Sequence, residues 1–209
     1  MYLFIISTPL QFLNSLEARS TYDLPKEKCI LYIYARNEWS LSSILLLAKE
    51  CGWNDIHVDH INILPGQKRS FLSWLNRLLW FWSVKCSLPK LEYCFSAMFI
   101  DPEIRHLTNI LNPTKLILMD EGIGQIHLLD SYLRLVKNSN KRNKGIRGRL
   151  LGYNPAARSD FAIFTAYQLQ KFSNIKIQIH SYQYVKSFFG RNSHIVIKNS
   201  ALFIGWPSH

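Results

Sequence analysis

Short apolar runs alternate with segments of helical periodicity along the first 120 residues of this chain of 209. The apolar runs predict strands at 2–6, 29–34, 55–58, 93–100 and 115–119. The intervening segments, with apolar residues three or four positions apart, predict helices at 10–19, 41–48, 68–85 and 103–111. Strands that alternate with helices form βαβ units around a parallel sheet. The pattern therefore predicts an α/β fold with a doubly wound, mostly parallel, Rossmann-like sheet.

The pattern changes in the last third of the chain. Residues 138–153 are polar, basic and contain glycine, which predicts a loop. Strand-like apolar runs then resume at 161–165, 175–179, 195–197 and 201–204. We expect residues 1–200 to form one domain, and 201–209 to begin the crossing to a second domain that lies outside this sequence.

Composition narrows the class of protein. Hydrophobic residues make up 48% of the chain, enough to fill a core, which excludes intrinsic disorder. The four cysteines contain no Cys-x-x-Cys pair and are typical of thiols in a reducing compartment, so we expect a cytoplasmic protein without a metal site. A signal peptide is not predicted, because no basic residue precedes the first apolar run and Pro9 interrupts it.

Positive charge is concentrated in the last third of the chain. The net charge is +11, yet residues 1–130 carry 12 basic and 13 acidic side chains, whereas 131–209 carry 13 basic side chains and one acidic side chain, Asp160. Such a block favours an anionic partner, either an anionic glycan or anionic lipid. The alternative is a basic loop that only keeps the protein soluble. The predicted anion or membrane patch consists of Lys137, Lys141, Arg142, Lys144, Arg147 and Arg149.

The predicted helix at 68–85 has an unusually wide apolar face. Its stretch 71–84 contains Arg77 and is shorter than the roughly 20 residues that a membrane span needs. Two interpretations stay open: a core helix packed on the sheet, and a helix that also lies on the inner face of the cell membrane.

Two loops at the carboxyl ends of predicted strands carry candidate chemistry, because ligands bind at that edge of open α/β sheets. Asp120, Glu121 and Gly122 follow the strand at 115–119. Two adjacent carboxylates near an apolar strand end raise one pKa, which suits a general base. An acidic turn that caps the next helix is the alternative.

The second loop follows the first strand and opens a helix. Its hydroxyls and free backbone N–H groups suit a phosphate, a carboxylate or a sugar hydroxyl, although ordinary N-capping is the better explanation of this loop taken by itself. The candidate substrate-binding residues in this loop are Ser7, Thr8, Pro9 and Gln11.

Together, the opening strand–Ser-Thr-Pro-Leu-Gln–helix segment and the Asp-Glu-Gly tripeptide at 120–122 resemble the bacterial sialyltransferase and polysialyltransferase families. These families make sialylated lipooligosaccharide and capsule. The tripeptide matches their (Asp/Glu)-(Asp/Glu)-Gly motif, whose first acidic residue is held to deprotonate the acceptor hydroxyl. The resemblance assigns that role to Asp120 and implies that Glu121 and Gly122 contact substrate.

The resemblance also implies an architecture and a reaction. The chain would be the N-terminal half of a GT-B glycosyltransferase, in which two Rossmann-like domains face a cleft. It would transfer sialic acid from CMP-sialic acid to a glycan hydroxyl with inversion, without a metal or other cofactor. The families carry a His-Pro motif and a serine-rich segment for the CMP group in their second half, and this chain contains no His-Pro dipeptide.

The sequence leaves three alternatives open. The enzyme could use another sugar nucleotide, since donor selection belongs to the second half. The chain could be a non-catalytic product of a truncated gene. It could instead bind a polyanion, although nucleic acid is not expected, because the basic residues do not interleave with stacking aromatic residues. Strong salt dependence would distinguish polyanion binding from transfer.

Overall fold

The computed structural model describes residues 1–35, 37–60, 71–120, 125–138, 152–169 and 175–192. Within them lies a seven-stranded sheet in the order β3-β2-β1-β4-β5-β6-β7, and every neighbouring pair is parallel. The strands are Tyr2–Ile6 (β1), Cys29–Ala35 (β2), Asp55–His60 (β3), Tyr93–Ser96 (β4), Lys115–Met119 (β5), Phe161–Thr165 (β6) and Ile177–Ile179 (β7). The helices are Pro9–Thr21 (α1), Glu38–Glu50 (α2), Phe71–Ser87 (α3), Pro102–Leu111 (α4), Gln125–Asn138 (α5) and Gln183–Asn192 (α6). The predicted fold class is confirmed.

Helices cover both faces of the sheet. Side chains alternate between the faces along each strand, so Ile30 and Tyr32 of β2 face one layer while Leu31 and Ile33 face the other. One core packs the sheet against α3, α4 and α5, and the second packs it against α1, α2 and α6. All seven residues of β2 are buried, as expected for a strand covered on both sides.

Helix α3 packs with one face and leaves the other exposed. Leu78 and Phe81 are buried in the core. Elsewhere on the helix, large apolar side chains are exposed: Leu72, Leu79, Trp80 and Trp82. The interpretation of α3 as a core helix therefore applies to the face that packs on the sheet. The exposed apolar side chains form its outer face, which is available for another contact. Among the described residues, no helix is long and apolar enough to cross a bilayer.

Some predicted boundaries were wrong. Strand β4 ends at Ser96 rather than at residue 100, because the backbone turns there and Asp101, followed by Pro102, caps α4. The apolar residues 97–99 are nevertheless buried, so their hydrophobicity reflects the core and not a strand. Strand β7 starts at Ile177, two residues later than predicted.

Other predicted segments lie outside the described residues. These are most of the loop at 138–153, the strand-like runs at 195–197 and 201–204, and the expected crossing at 201–209.

Candidate functional site

The loop after β1 lies where the order of the strands reverses, between β1 and β4. In open α/β sheets this reversal opens a crevice at the carboxyl ends of the strands. Thr8 is the N-cap of α1, and Gln11 completes a capping box with it. The Gln11 Oε1 accepts hydrogen bonds from the backbone N–H groups of Ser7, at 2.6 Å, and Thr8, at 3.2 Å. Its Nε2 lies 3.7 Å from Met98 Sδ, in the loop after β4.

These contacts divide the four candidate residues of the loop. Ser7 and Gln11 are buried and occupied in fixing the start of α1. Thr8 and Pro9 are half-buried. The N-capping function is therefore realised, and Thr8 and Pro9 are the members of the loop that a ligand at this edge would meet.

Asp120 follows β5, one strand beyond β4, and its side chain is almost entirely enclosed, with 1% of the residue exposed. Its Oδ2 accepts a hydrogen bond of 2.6 Å from the backbone N–H of Ala166, and the Thr165 side chain also hydrogen-bonds the carboxyl group. Its Oδ1 is buried and has no hydrogen-bond partner among the described residues. One oxygen of the carboxyl group is thus held in place by the loop after β6.

Burial raises the pKa of Asp120 to about 6 from its ordinary value of 3.8, against the opposing effect of the hydrogen bonds from Thr165 and Ala166. The sequence predicts a raised pKa for Asp120 from the neighbouring charge of Glu121. Desolvation is the cause within the described residues, and Glu121 and Gly122 lie outside them. A carboxyl group with a pKa near 6 is a stronger base than an exposed aspartate and is still ionised at neutral pH.

His180 faces Asp120 and was not among the predicted site residues. Its Nε2 lies 3.9 Å from Asp120 Oδ2, too long for a hydrogen bond. The imidazole stacks on Phe164, with ring centroids 4.3 Å apart, and burial lowers its pKa, so it is neutral. Neither ring nitrogen has a hydrogen-bond partner among the described residues. The signal for His180 is its position directly after β7, at the same edge of the sheet as Asp120.

Hydrogen bonds link helix α1 to the start of α6 beside Asp120 and His180, which together form the Asp120 cluster. The Tyr182 hydroxyl donates a 2.5 Å hydrogen bond to Asn14 Oδ1, and Asn14 Nδ2 donates to the main-chain oxygen of Asp120 at 3.0 Å. The buried Glu17 carboxylate accepts from the backbone N–H of Val185 at 3.1 Å, at the start of α6. Tyr182 itself adopts a left-handed conformation, with φ of 56°, which a residue other than glycine rarely takes. The hydrogen bonds from Asn14 and Ala166 therefore fix Asp120, at the end of β5, to helix α1 and to the loop after β6.

The raised pKa of Asp120 predicts a pH-dependent stability. The stabilisation that Asp120 contributes is complete below pH 3.8, its ordinary pKa, where the carboxyl group is protonated. This contribution is lost as the pH rises through the raised pKa of about 6. The difference between these two pKa values corresponds to about 3 kcal/mol of unfolding free energy. Asp120→Asn removes the charge and keeps an oxygen for the Ala166 N–H. We expect its free energy of unfolding to exceed that of the wild type by up to about 3 kcal/mol near pH 8, and the gap to close near pH 4.

Urea unfolding at both pH values measures this gap. The lowered pKa of His180 acts in the opposite sense, because its contribution is lost as pH falls below its ordinary value. His180 is present in both proteins, so its own dependence on pH enters both measurements. A difference that is the same at both pH values would show that the pKa of Asp120 is not raised.

The predicted basic patch is only partly described. Lys137 is exposed near the end of α5. Lys141, Arg142, Lys144, Arg147 and Arg149 lie outside the described residues.

Within the described ranges, no three His, Cys, Asp or Glu side chains are grouped so that they could hold a metal ion. Comparison of the chain with protein-family models, with curated proteins and with solved structures found no match.

Proposed function

We propose that this chain is the acceptor-side domain of a glycosyltransferase that transfers sialic acid from CMP-sialic acid to a glycan hydroxyl. The observation that carries the proposal is the Asp120 carboxyl group, buried at the carboxyl end of β5, with a pKa raised to about 6 and with Oδ1 unpartnered among the described residues. A fixed, desolvated carboxylate with a raised pKa has the proton affinity that suits a general base. Its location fits the resemblance to bacterial sialyltransferases, which assigns the base to this position.

The proposed step is a displacement with inversion. Asp120 Oδ1 takes the proton of the acceptor hydroxyl while the hydroxyl oxygen forms a bond to the anomeric carbon of sialic acid. The bond from that carbon to the phosphate oxygen of CMP breaks, and CMP leaves with the electron pair. The proton remains on Asp120 until it exchanges with solvent. No metal takes part in this step, and the donor is held by residues of a second domain.

Nucleotide release by the native protein tests the proposal. The assay supplies CMP-sialic acid with a galactose-terminated oligosaccharide, and in parallel a UDP-sugar with the same acceptor. We expect CMP release that depends on the acceptor. Release of UDP but not of CMP would show that the protein is a glycosyltransferase whose donor is a UDP-sugar. No release from either donor, together with polyanion binding that weakens steeply with salt, would replace the transferase by a polyanion-binding protein.

The proposal places the protein in the cytoplasm, at the inner face of the cell membrane. Support comes from the outer face of α3, where Leu72, Leu79 and Trp82 are exposed and Lys85 lies over the Trp82 ring at 4.6 Å. The described part of α3 carries no acidic side chain, so an anionic lipid surface meets no repulsion there. We expect Trp82→Ala to weaken sedimentation with vesicles that contain phosphatidylserine. Equal binding of both proteins would remove α3 from this contact, and neutral phosphatidylcholine vesicles are the control.

A further inference from the structure

A groove with a volume of about 370 Å³ opens between α3 and the carboxyl end of β3. This volume lies within the range of about 300–1,000 Å³ that is usual for small-molecule sites. None of the lining residues belongs to the Asp120 cluster, so the groove is a separate site at the same edge of the sheet. The groove is lined by Val58, Asp59, Ser73, Asn76, Arg77 and Trp80.

Trp80 offers a ring surface whose orientation is fixed. Its indole N–H donates to the Tyr32 hydroxyl at 3.2 Å, and the residue is nevertheless 41% exposed. Asn76 lies one helical turn earlier, on the same side of α3, and is exposed. An aromatic face beside an amide fits a ligand with an apolar face and a polar rim. A sugar ring has this character, because its C–H groups form one surface and its hydroxyls surround it.

The floor of the groove determines the charge of that ligand. Arg77 donates to both oxygens of Asp59 at 2.5 Å and, through Nε, to Glu103 at 3.0 Å. Among the described residues, these two carboxylates and one guanidinium carry a net negative charge, which disfavours an anionic sugar at this position. Neutral hydroxyl groups meet no such penalty. They can donate to the carboxylates and accept from the guanidinium N–H groups.

We propose that this groove binds an uncharged sugar ring of the acceptor glycan, at a distance from the hydroxyl that reacts. The inference rests on the proposed glycosyltransferase function for its acceptor. Strand β3 is four positions from β5 in the sheet, which corresponds to about 19 Å at the usual spacing of about 4.8 Å between strands. An acceptor of several sugars, lying across the carboxyl edge, reaches from Asp120 to Trp80. A disaccharide does not.

Titration calorimetry of the native protein without donor tests the groove. The probes are N-acetyllactosamine oligomers, from the disaccharide to the hexasaccharide, and oligosialic acid. We expect affinity to rise with the length of the neutral oligomer. Trp80→Ala should weaken hexasaccharide binding by about tenfold, the loss expected for a stacked aromatic ring. Asn76→Ala, an exposed position with little effect on folding, should weaken it in the same sense.

Trp82→Ala is the matched control, because Trp82 lies on the same helix, is 44% exposed and does not line the groove. Equal effects of Trp80→Ala and Trp82→Ala, affinity independent of length, or oligosialic acid bound through Trp80 would each overturn the proposal. The proposed groove and the proposed transferase can be disproved separately. Transfer to long acceptors that is unaffected by Trp80→Ala would disprove the sugar site in the groove alone. Length-dependent binding without transfer from any donor would support the groove and disprove the transferase.

Discussion

Asp120→Asn is expected to reduce acceptor-dependent CMP release by about 10²- to 10⁴-fold, the usual contribution of a positioned general base. The amide has nearly the shape of the carboxylate and keeps an oxygen for the Ala166 N–H, but it does not take up the proton of the acceptor hydroxyl. The rate of the wild-type protein should also rise with pH through about 6, as Asp120 loses its proton. Initial rates of nucleotide release, at saturating donor and across this pH range, measure both effects.

Asp23→Asn is the control for this substitution. Asp23 is exposed and has a φ of 50°, a conformation that asparagine tolerates well, so the same chemical change there should affect neither rate nor fold. If Asp120→Asn retained the wild-type rate, Asp120 would not be the base. A wild-type rate that stayed level through pH 6 would contradict the raised pKa as the origin of the activity.

Loss of activity and gain of stability should occur together in Asp120→Asn. The substitution is expected to stabilise the domain near pH 8, because the buried charge is removed. Functional groups are often held at the expense of stability, and substitutions that relieve this strain commonly reduce function. A carboxyl group that served only to hold the loop at Ala166 would show the reverse, with lower stability in the variant and no change in rate. The two measurements together therefore separate a catalytic group from a structural one.

Local signals were sufficient for most of the fold. Thr8 and Pro9 predicted the start of α1, because a hydroxyl cap and a proline at the first helical position act within a few residues of the chain. The apolar run 115–119 matched β5 residue for residue. The end of β4 was wrong because the apolar residues after Ser96 are buried in a turn, and hydrophobicity alone does not distinguish a buried turn from a buried strand.

The candidate site was only partly predictable for a different reason. Asp120 follows an evident strand, so its place at the ligand-binding edge came from sequence and topology alone. Its proximity to His180 depends on β6 pairing with both β5 and β7. That register brings together residues 60 positions apart, and no local spacing encodes it. The contact of Arg77 with Asp59 was missed in the same way, because it joins a helix to a strand through residues 18 positions apart.

Arg77→Met is expected to lower the free energy of unfolding by about 3 to 5 kcal/mol, the usual cost of removing one partner from a buried ion pair. The substitution leaves the Asp59 carboxylate, whose side chain is 4% exposed, without its two hydrogen bonds from the guanidinium. The Tyr32 hydroxyl still donates to Asp59, and this single bond does not replace the lost charge. The Arg77 side chain also packs over Phe81, 4.4 Å from the ring centroid, and methionine keeps part of this contact. Urea unfolding followed by circular dichroism measures the change.

Arg158→Met is the matched control, because Arg158 also forms two hydrogen bonds with one carboxylate, that of Asp160. The Asp160 side chain is 64% exposed, so water replaces the arginine when it is removed. We expect a loss of about 1 kcal/mol or less for this variant, as for other exposed ion pairs. Both variants should keep the same dependence of unfolding free energy on urea concentration, since the area exposed on unfolding is unchanged. Equal losses in the two variants would show that the cost follows from removing an arginine. Unequal losses would attribute it to the buried carboxylate that remains.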